Sequence, residues 1–287
     1  MFRIVSKQDL SPTISKFVIE APFVARKRKA GNFVIVRVIE TGERIPLTIV
    51  DGDPDKGTIT LIVQAIGKTT KMLVAKNVGE SLVDVVGPLG VPTPIENHGS
   101  VVCVGGGVGT AELYPIALAL KSAGNKLFSI VGARSKDLII LEEEMSKISD
   151  QTFITTDDGS YGRKGLVTNQ LKELLDTGAN VGAVYAIGPL PMMKAVSHVT
   201  KQYGVRTYVS LNAIMVDGTG MCGGCRVTVD GQMKFACVDG PEFDGHKVDF
   251  DELIMRNRTY VDLEKISNDS LEHQTIHLHE GMMYEVR

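Results

Sequence analysis

The sequence predicts an antiparallel β barrel, then an α/β domain built on a parallel sheet, then a small cysteine-bearing lobe. Three observations carry this. The first third holds short Val-, Ile- and Thr-rich runs broken by turn residues; after Pro94, strands alternate with helical stretches; and three of the four cysteines, Cys222, Cys225 and Cys237, fall within sixteen residues. A length of 287 residues suits about two domains, each able to bury a core without disulfides.

The elements follow in order. Ile14–Glu20, Phe33–Glu40, Arg44–Val50, Thr58–Ile66 and Ser81–Val86 read as strands, separated by turn signals such as Asp51-Gly52-Asp53-Pro54 and Gly87-Pro88-Leu89-Gly90. One helix interrupts them near Thr69–Lys76. Many short antiparallel strands in about 100 residues suggest a closed barrel or a sandwich. Then come strand Ser100–Val104, helix Ala111–Ala123, strand Lys126–Val131, helix Leu138–Ile148, strand Thr152–Thr155 and helix Leu166–Leu175. Strand Val184–Ile187, helix Leu190–Gln202 and strand Arg206–Ser210 close the series. The expected division is 1–97 for the barrel, 98–210 for the α/β domain, 211–250 for the lobe and 251–287 for a polar, weakly helical tail.

Composition excludes several classes. With 31 Lys plus Arg against 34 Asp plus Glu, the net charge is −3, which lacks the clustered cation surplus of a nucleic-acid-binding protein. The one dense basic run, Arg26-Lys27-Arg28-Lys29, reads as a solvated loop. The longest charge-free stretch, Thr177–Met193, is interrupted by Gly and Pro, so no segment is expected to span a bilayer. Met1–Val5 reads as a first strand without a signal core, and a cytoplasmic location is expected. There cysteines serve as thiols or metal ligands more often than as disulfides.

Gly105-Gly106-Gly107-Val108-Gly109-Thr110 stands between a buried strand and a helix. Glycines there let the backbone approach a pyrophosphate that faces the helix N-terminus, so the turn reads as a dinucleotide site. After the second strand, Arg134 and Lys136 suit a 2′-phosphate, yet no residue type there settles NAD against NADP.

Cys222 and Cys225 are separated by two residues, Cys237 follows after eleven more, and Gly218, Gly220, Gly223 and Gly224 surround them. Plant-type 2Fe–2S sites use Cys-x4-Cys-x2-Cys with a distant fourth Cys. Five residues before Cys222 stands Asp217, which gives a set of three thiolates and one carboxylate: Asp217, Cys222, Cys225 and Cys237. A plain Asp-Gly turn with an outside fourth ligand, and a structural zinc site, are the competing readings. Cys103, inside a buried strand, reads as packing.

These motifs resemble the ferredoxin–NADP reductase superfamily. Within it, Met215-Val216-Asp217-Gly218-Thr219-Gly220-Met221-Cys222-Gly223-Gly224-Cys225 and Phe235-Ala236-Cys237-Val238-Asp239-Gly240-Pro241 are similar to the dihydroorotate dehydrogenase electron-transfer subunits. They are also similar to the small subunits of electron-bifurcating NADH-dependent ferredoxin:NADP oxidoreductases. The resemblance covers nearly the whole chain. It implies an FAD-binding barrel, in which Arg44-Ile45-Pro46-Leu47-Thr48 is the flavin motif. Arg44 would bind the FAD phosphates, Pro46 and Leu47 would lie along the flavin, and Thr48 would stand near flavin N5. Gly67, Thr69 and Thr70 match the segment that cradles the FAD pyrophosphate, a role that competes with simple helix capping. Gly105, Gly106, Gly107, Gly109 and Thr110 match the nicotinamide dinucleotide loop, joined by Arg134, Asp158, Gly188 and Pro189. Ile187 and Leu47 stand where the superfamily often has Cys and Tyr.

The resemblance also implies NAD(H) as the dinucleotide and a heterodimer. The large partner subunit would carry flavin and 4Fe–4S clusters, bind NADP(H) and receive electrons from ferredoxin. The implied enzyme is an NAD(P)H-dependent flavin and iron–sulfur oxidoreductase subunit that needs no acid–base dyad or nucleophile. A dihydroorotate dehydrogenase subunit, a stand-alone flavin reductase with zinc, and a non-catalytic nucleotide sensor are the alternatives. His273, His277 and His279 belong to the tail expected to dock on the partner.

Overall fold

A computed structural model of the chain describes residues 1–271. The three tail histidines and the rest of 272–287 lie outside the described residues.

The first unit holds β1 (Phe2–Ser11), β2 (Ile14–Glu20), α1 (Pro22–Lys27), β3 (Phe33–Arg37), β4 (Arg44–Thr48), β5 (Asp51–Asp53), β6 (Thr58–Gln64), α2 (Lys68–Val74), β7 (Ser81–Leu82) and β8 (Asp84–Leu89). They form a five-stranded antiparallel sheet, β5-β6-β2-β1-β7, and a three-stranded one, β4-β3-β8. One apolar core joins them: Phe17, Ile19, Ile59 and Leu61 from the larger sheet meet Val34, Val36 and Val85 from the smaller. Burial of these side chains is the chief drive for the two sheets to pack.

The second unit holds β9 (Ser100–Gly106), α3 (Gly109–Ser122), β10 (Lys126–Ala133), α4 (Glu142–Ile148), β11 (Gln151–Thr156), β12 (Arg163–Lys164), α5 (Val167–Asp176), β13 (Ala183–Ile187), α6 (Leu190–Gln202) and β14 (Arg206–Ser210). Its strands are parallel in the order β12-β11-β10-β9-β13-β14. Leu113, Ile116 and Met145 of α3 and α4 cover one face, and Leu171, Leu174, Met193 and Val196 of α5 and α6 the other. The continuous apolar strands expected of a sheet buried on both sides are therefore satisfied.

The cysteine segment adds the hairpin β15 (Arg226–Val229) and β16 (Gln232–Phe235), α7 (Ala236–Asp239), β17 (Glu242–Asp244) and α8 (Phe250–Arg256). β17 pairs antiparallel with β14, so the segment is stitched to the end of the parallel sheet. Residues 261–271 are also helical.

Several expected elements change. Arg26 and Lys27 belong to α1 and not to a loop: Pro22 at the helix start fixes the entry, and Val24 and Ala25 bury its inner face. Two helices, not one, interrupt the antiparallel strands. The stretch expected as one strand over Ser81–Val86 divides into β7 and β8, which belong to different sheets. The helix expected from Leu138 begins at Glu142, after Leu141 adopts a left-handed conformation at φ 55°. Among the described residues no helix is long and apolar enough to cross a membrane.

Candidate redox site at the junction of two cavities

Two cavities, of about 400 and 520 Å³, open beside one another between the antiparallel unit and the carboxyl ends of the parallel strands. Ligands of open α/β sheets bind at this end. Gln64, Ile66, Val108, Glu112, Ser210 and Asn212 line both cavities and form a common wall.

Pro46, Leu47, Thr48 and Thr70 line the first cavity. Arg44 opens β4 in an exposed position and Thr69 is buried; neither is on that wall. The Thr69 hydroxyl donates to Glu43 Oε2 at 2.8 Å, and Thr70 Oγ1 accepts the backbone N–H of Ile66 and Gly67 at 3.0 and 3.1 Å. Thr70 thereby closes the start of α2 as a cap. Gly67 itself faces open space, with nothing within 4 Å of a Cβ placed there.

Gly106, Gly107, Gly109, Arg134, Gly188 and Pro189 line the second cavity. A Cβ on Gly109 would stand 2.6 Å from the Ile187 carbonyl oxygen, so only glycine lets α3 begin against the end of β13. Gly105 and Thr110 lie beneath the turn: a Cβ on Gly105 would meet Thr110 Oγ1 at 2.7 Å, and that hydroxyl is buried without a partner. Asp158 is not on the cavity wall. Its Oδ1 accepts the Ser160 N–H at 2.9 Å, and Ser160 holds its carboxyl below the usual range. The neighbouring Asp157 lines the cavity instead. The glycine turn and the open helix start fit a dinucleotide in donor chemistry and in shape.

Glu112 was absent from the residues singled out in the sequence. It occupies the first turn of α3, where an acid is ordinarily explained by the helix dipole. Here it stands half-buried on the common wall, where loss of surrounding water pushes its carboxyl group up to about 7 and the polar Thr48 side chain offsets part of that rise.

The cysteine segment leaves the common wall directly, since Ala213, Ile214 and Met215 continue along the first cavity. Gly218, at φ 72°, turns against the first unit: a Cβ there would meet Leu89 at 2.6 Å and Ile35 at 2.9 Å. Cys225 immediately precedes β15 and Cys237 follows β16. The register pairs Arg226 with Phe235, which draws the two sulfurs to 3.2 Å. Both are buried in a core with Phe33 and Ile35 of β3. Cys222 is exposed, and its sulfur accepts the Gly224 N–H at 3.4 Å. Asp217 accepts the N–H groups of Thr219 and Cys222, each at 2.9 Å, and these bonds hold its carboxyl below the usual range. Among the described residues no group of three or more His, Cys, Asp or Glu is assembled as a metal site; the structure pairs Cys225 with Cys237 and ties Asp217 to the backbone of Cys222. Thiol donors in a glycine-rich loop fit an iron–sulfur cluster in donor chemistry. Cys103 is buried, as packing requires.

Two family models match segments of the chain. Residues 103–198 match the oxidoreductase NAD-binding domain, and 212–249 match the iron–sulfur cluster binding domain of dihydroorotate dehydrogenase B. A homologue of the dihydroorotate dehydrogenase B (NAD(+)) electron transfer subunit from Thermotoga maritima is 50% identical over 264 residues, 92% of this chain and 93% of that one. A solved structure of an NADH-dependent reduced ferredoxin–NADP oxidoreductase, described for flavin-based electron bifurcation, is 49% identical with a TM-score of 0.89. It covers 94% of this chain and 98% of its own. The ferredoxin reductase of carbazole 1,9a-dioxygenase shares the fold, at 19% identity, a TM-score of 0.60, and 71% and 64% coverage.

Fold and site together define an oxidoreductase chain with a ferredoxin-reductase-like fold and an NAD-binding domain. The chain belongs to the family of dihydroorotate dehydrogenase B electron transfer subunits and their homologues.

Proposed function

We propose that this chain is the electron-transfer subunit of a flavin-based electron-bifurcating NADH-dependent ferredoxin:NADP oxidoreductase. NAD(H) occupies the second cavity, FAD the first, and a 2Fe–2S cluster the loop of Asp217, Cys222, Cys225 and Cys237. The observation that carries this is the common wall: two cavities meeting edge to edge, with the cysteine segment continuing from the same wall. The likeness to the bifurcating oxidoreductase over nearly the full length supports it. When bound, FAD accepts a hydride and releases its electrons singly, as the cluster requires.

The chain's own residues place these groups. The turn at Gly106, Gly107 and Gly109 holds the dinucleotide against the start of α3, with Gly188 and Pro189 opposite and Arg134 towards its adenosine end. Leu47 and Thr48 hold the flavin against the common wall, Thr48 near N5, and Pro46 fixes the course of β4. Arg44, Gly67, Thr69 and Thr70 lie towards the FAD phosphates. Gly105 and Thr110 support the turn from beneath, and Asp158 shapes the loop that presents Asp157.

The proposed division is a closed flavin-binding barrel at 1–97, the NAD-binding domain at 98–210, the cluster lobe at 211–250 and a partner-binding tail from 251. Met221 is 88% exposed beside Cys222, with Val216 and Val238 also exposed. This apolar rim suits docking of a large subunit that carries flavin and 4Fe–4S clusters, binds NADP(H) and exchanges electrons with ferredoxin. A cytoplasmic location accords with reduced thiols.

Anaerobic mixing of the purified chain with NADH tests the reading: flavin absorbance bleaches first and cluster absorbance follows. Bleaching without any cluster response contradicts it. The name of the Thermotoga maritima relative favours a second reading, an electron transfer subunit serving dihydroorotate dehydrogenase, and the co-purifying partner distinguishes the two.

A further inference from the structure

The end of α8 carries two adjacent side chains that reach different parts of the redox site. Asn257 Nδ2 donates to the Asn212 carbonyl at 2.9 Å, and Asn212 lies on the common wall of both cavities. Arg256 Nη2 donates to the Gly224 carbonyl at 3.4 Å, inside the Cys222-Gly223-Gly224-Cys225 loop. The helix that presents them is anchored: Phe250 and Leu253 are buried beneath it, and Lys194 of α6 holds Asp251 at 2.6 Å.

Arginine is a costly choice at position 256. The residue is half-buried, and its Nε is enclosed without a hydrogen-bond partner. A cation in the last turn suits the helix dipole, yet an exposed side chain such as Arg258 serves that purpose without burial. A second guanidinium flanks the same loop: Arg226 Nη1 is 3.8 Å from the point where a Cβ on Gly223 would lie. Among the described residues neither arginine has a carboxylate within ion-pair distance. The acids nearest in the segment are committed to the backbone. Asp217 accepts from Thr219 and Cys222, and Asp239 Oδ2 accepts the Phe235 N–H at 2.7 Å. The cysteine loop thus faces two cations that no protein anion neutralises, an arrangement suited to negative charge held in the loop itself.

We propose that Arg256 is a positioning residue that sets the redox potential of this loop. Its guanidinium holds the Gly224 carbonyl, and its charge favours the state of the loop that carries one more electron. Arg226, exposed to solvent and so more strongly screened, adds a smaller share. The inference rests on the reading of the loop as a 2Fe–2S site given above. The step is a single electron transfer: NADH is oxidised by way of the flavin, and one electron arrives at the loop. No bond forms or breaks, no proton moves, and the loop becomes one unit more negative. A cation fixed beside it stabilises that state more than the oxidised one, so it raises the potential. Asn257 ties the same helix end to the cavity wall, which keeps this cation at a constant place between flavin side and cluster side.

The test uses the full chain with its cofactors and partner subunit, as wild type, Arg256→Gln, Arg256→Lys and Arg258→Gln. Each is titrated electrochemically, with low-temperature electron paramagnetic resonance as the readout and iron content measured alongside. Arg256→Gln is expected to be harder to reduce. At a fixed ambient potential its ratio of reduced to oxidised cluster falls about threefold to tenfold, tenfold being 59 mV for one electron. Arg256→Lys keeps the charge without the fork and lies between the wild type and the glutamine variant. Arg258→Gln removes an equal charge from an exposed position nearby and keeps the wild-type potential. An Arg256→Gln potential equal to wild type, or a shift matched by Arg258→Gln or by Arg256→Lys, overturns the proposal and leaves the cluster assignment standing. Should Arg256→Gln shed its iron, Arg256→Lys decides: iron retained near the wild-type potential upholds the role of the charge, and iron lost from both overturns it. A wild-type chain without a 2Fe–2S signal overturns the cluster assignment and the proposal together.

Discussion

Cys225 Sγ lies 3.2 Å from Cys237 Sγ, because the β15–β16 hairpin runs from just after the one cysteine to just before the other. The pairing makes the cluster loop sensitive to the loss of metal. A disulfide needs the sulfurs at about 2.05 Å, a movement of roughly 1 Å from their present positions. Stripped of iron by a chelator and exposed to air, the chain is expected to form the Cys225–Cys237 bridge ahead of any bond to Cys222 or Cys103. Mass spectrometry after alkylation identifies the bridge; a dominant Cys222–Cys225 bond would mean that the hairpin does not set the sulfur spacing.

Gly109→Ala probes the dinucleotide turn. The added methyl meets the Ile187 carbonyl oxygen at 2.6 Å and Gly188 Cα at 2.8 Å, both backbone atoms that cannot step aside. Overpacking of this kind costs about 1–3 kcal/mol. Because the displaced element is the helix start that faces the nucleotide, NADH affinity is expected to fall about tenfold or more. Calorimetric titration with NADH checks this, and a variant of lowered melting temperature but unchanged affinity would separate the turn from nucleotide binding.

Glu242 gives stability a pH dependence of definite sign. Its folded pKa is raised from the usual 4.5 to about 8. Below pH 4.5 both folded and unfolded forms carry the proton. Between about 4.5 and 8 the unfolded chain releases it first, so stability falls as pH rises, and the loss is complete above about 8. Glu242→Gln is expected to flatten this slope and to exceed the wild type by about 1–3 kcal/mol at pH 8.5. Melting temperatures measured from pH 5 to 8.5 decide it, parallel curves being the contrary result.

The parallel unit was legible because its signals are local. Each strand is a short apolar run, and Gly105 to Thr110 sits between strand and helix, so α6 and β14 match their expected bounds. What escaped were contacts between distant segments. β17 is three residues of Glu-Phe-Asp, a pattern without strand periodicity, and exists because β14 offers it an edge. Glu112 looks like an ordinary first-turn acid, and only the fold brings it to the wall of the cavity that Thr48, 64 residues earlier in the sequence, also lines. Asp158 and Asp157 are equivalent by composition; only the Ser160 bond, closing a turn on Asp158, leaves Asp157 facing the cavity. Thr70 matched a phosphate-cradling motif while its hydroxyl caps α2.

Asp217 carries a prediction of its own. Its two oxygens each take one backbone N–H, which leaves lone pairs free for a metal. Asp217→Cys is expected to retain iron with a changed cluster potential, since ligand type tunes the site. Electrochemical titration followed by electron paramagnetic resonance reads the change; complete loss of iron from a stably folded variant would count against Asp217 as a ligand.

The cofactors of the native chain test the proposed electron path most directly. Purified anaerobically with any bound partner, each chain is expected to hold one FAD and about two iron and two sulfide ions outside the partner's own complement. NADH is expected to bring up the low-temperature resonance signal of a reduced 2Fe–2S cluster. A chain carrying zinc in place of iron, or one holding no flavin, would contradict it.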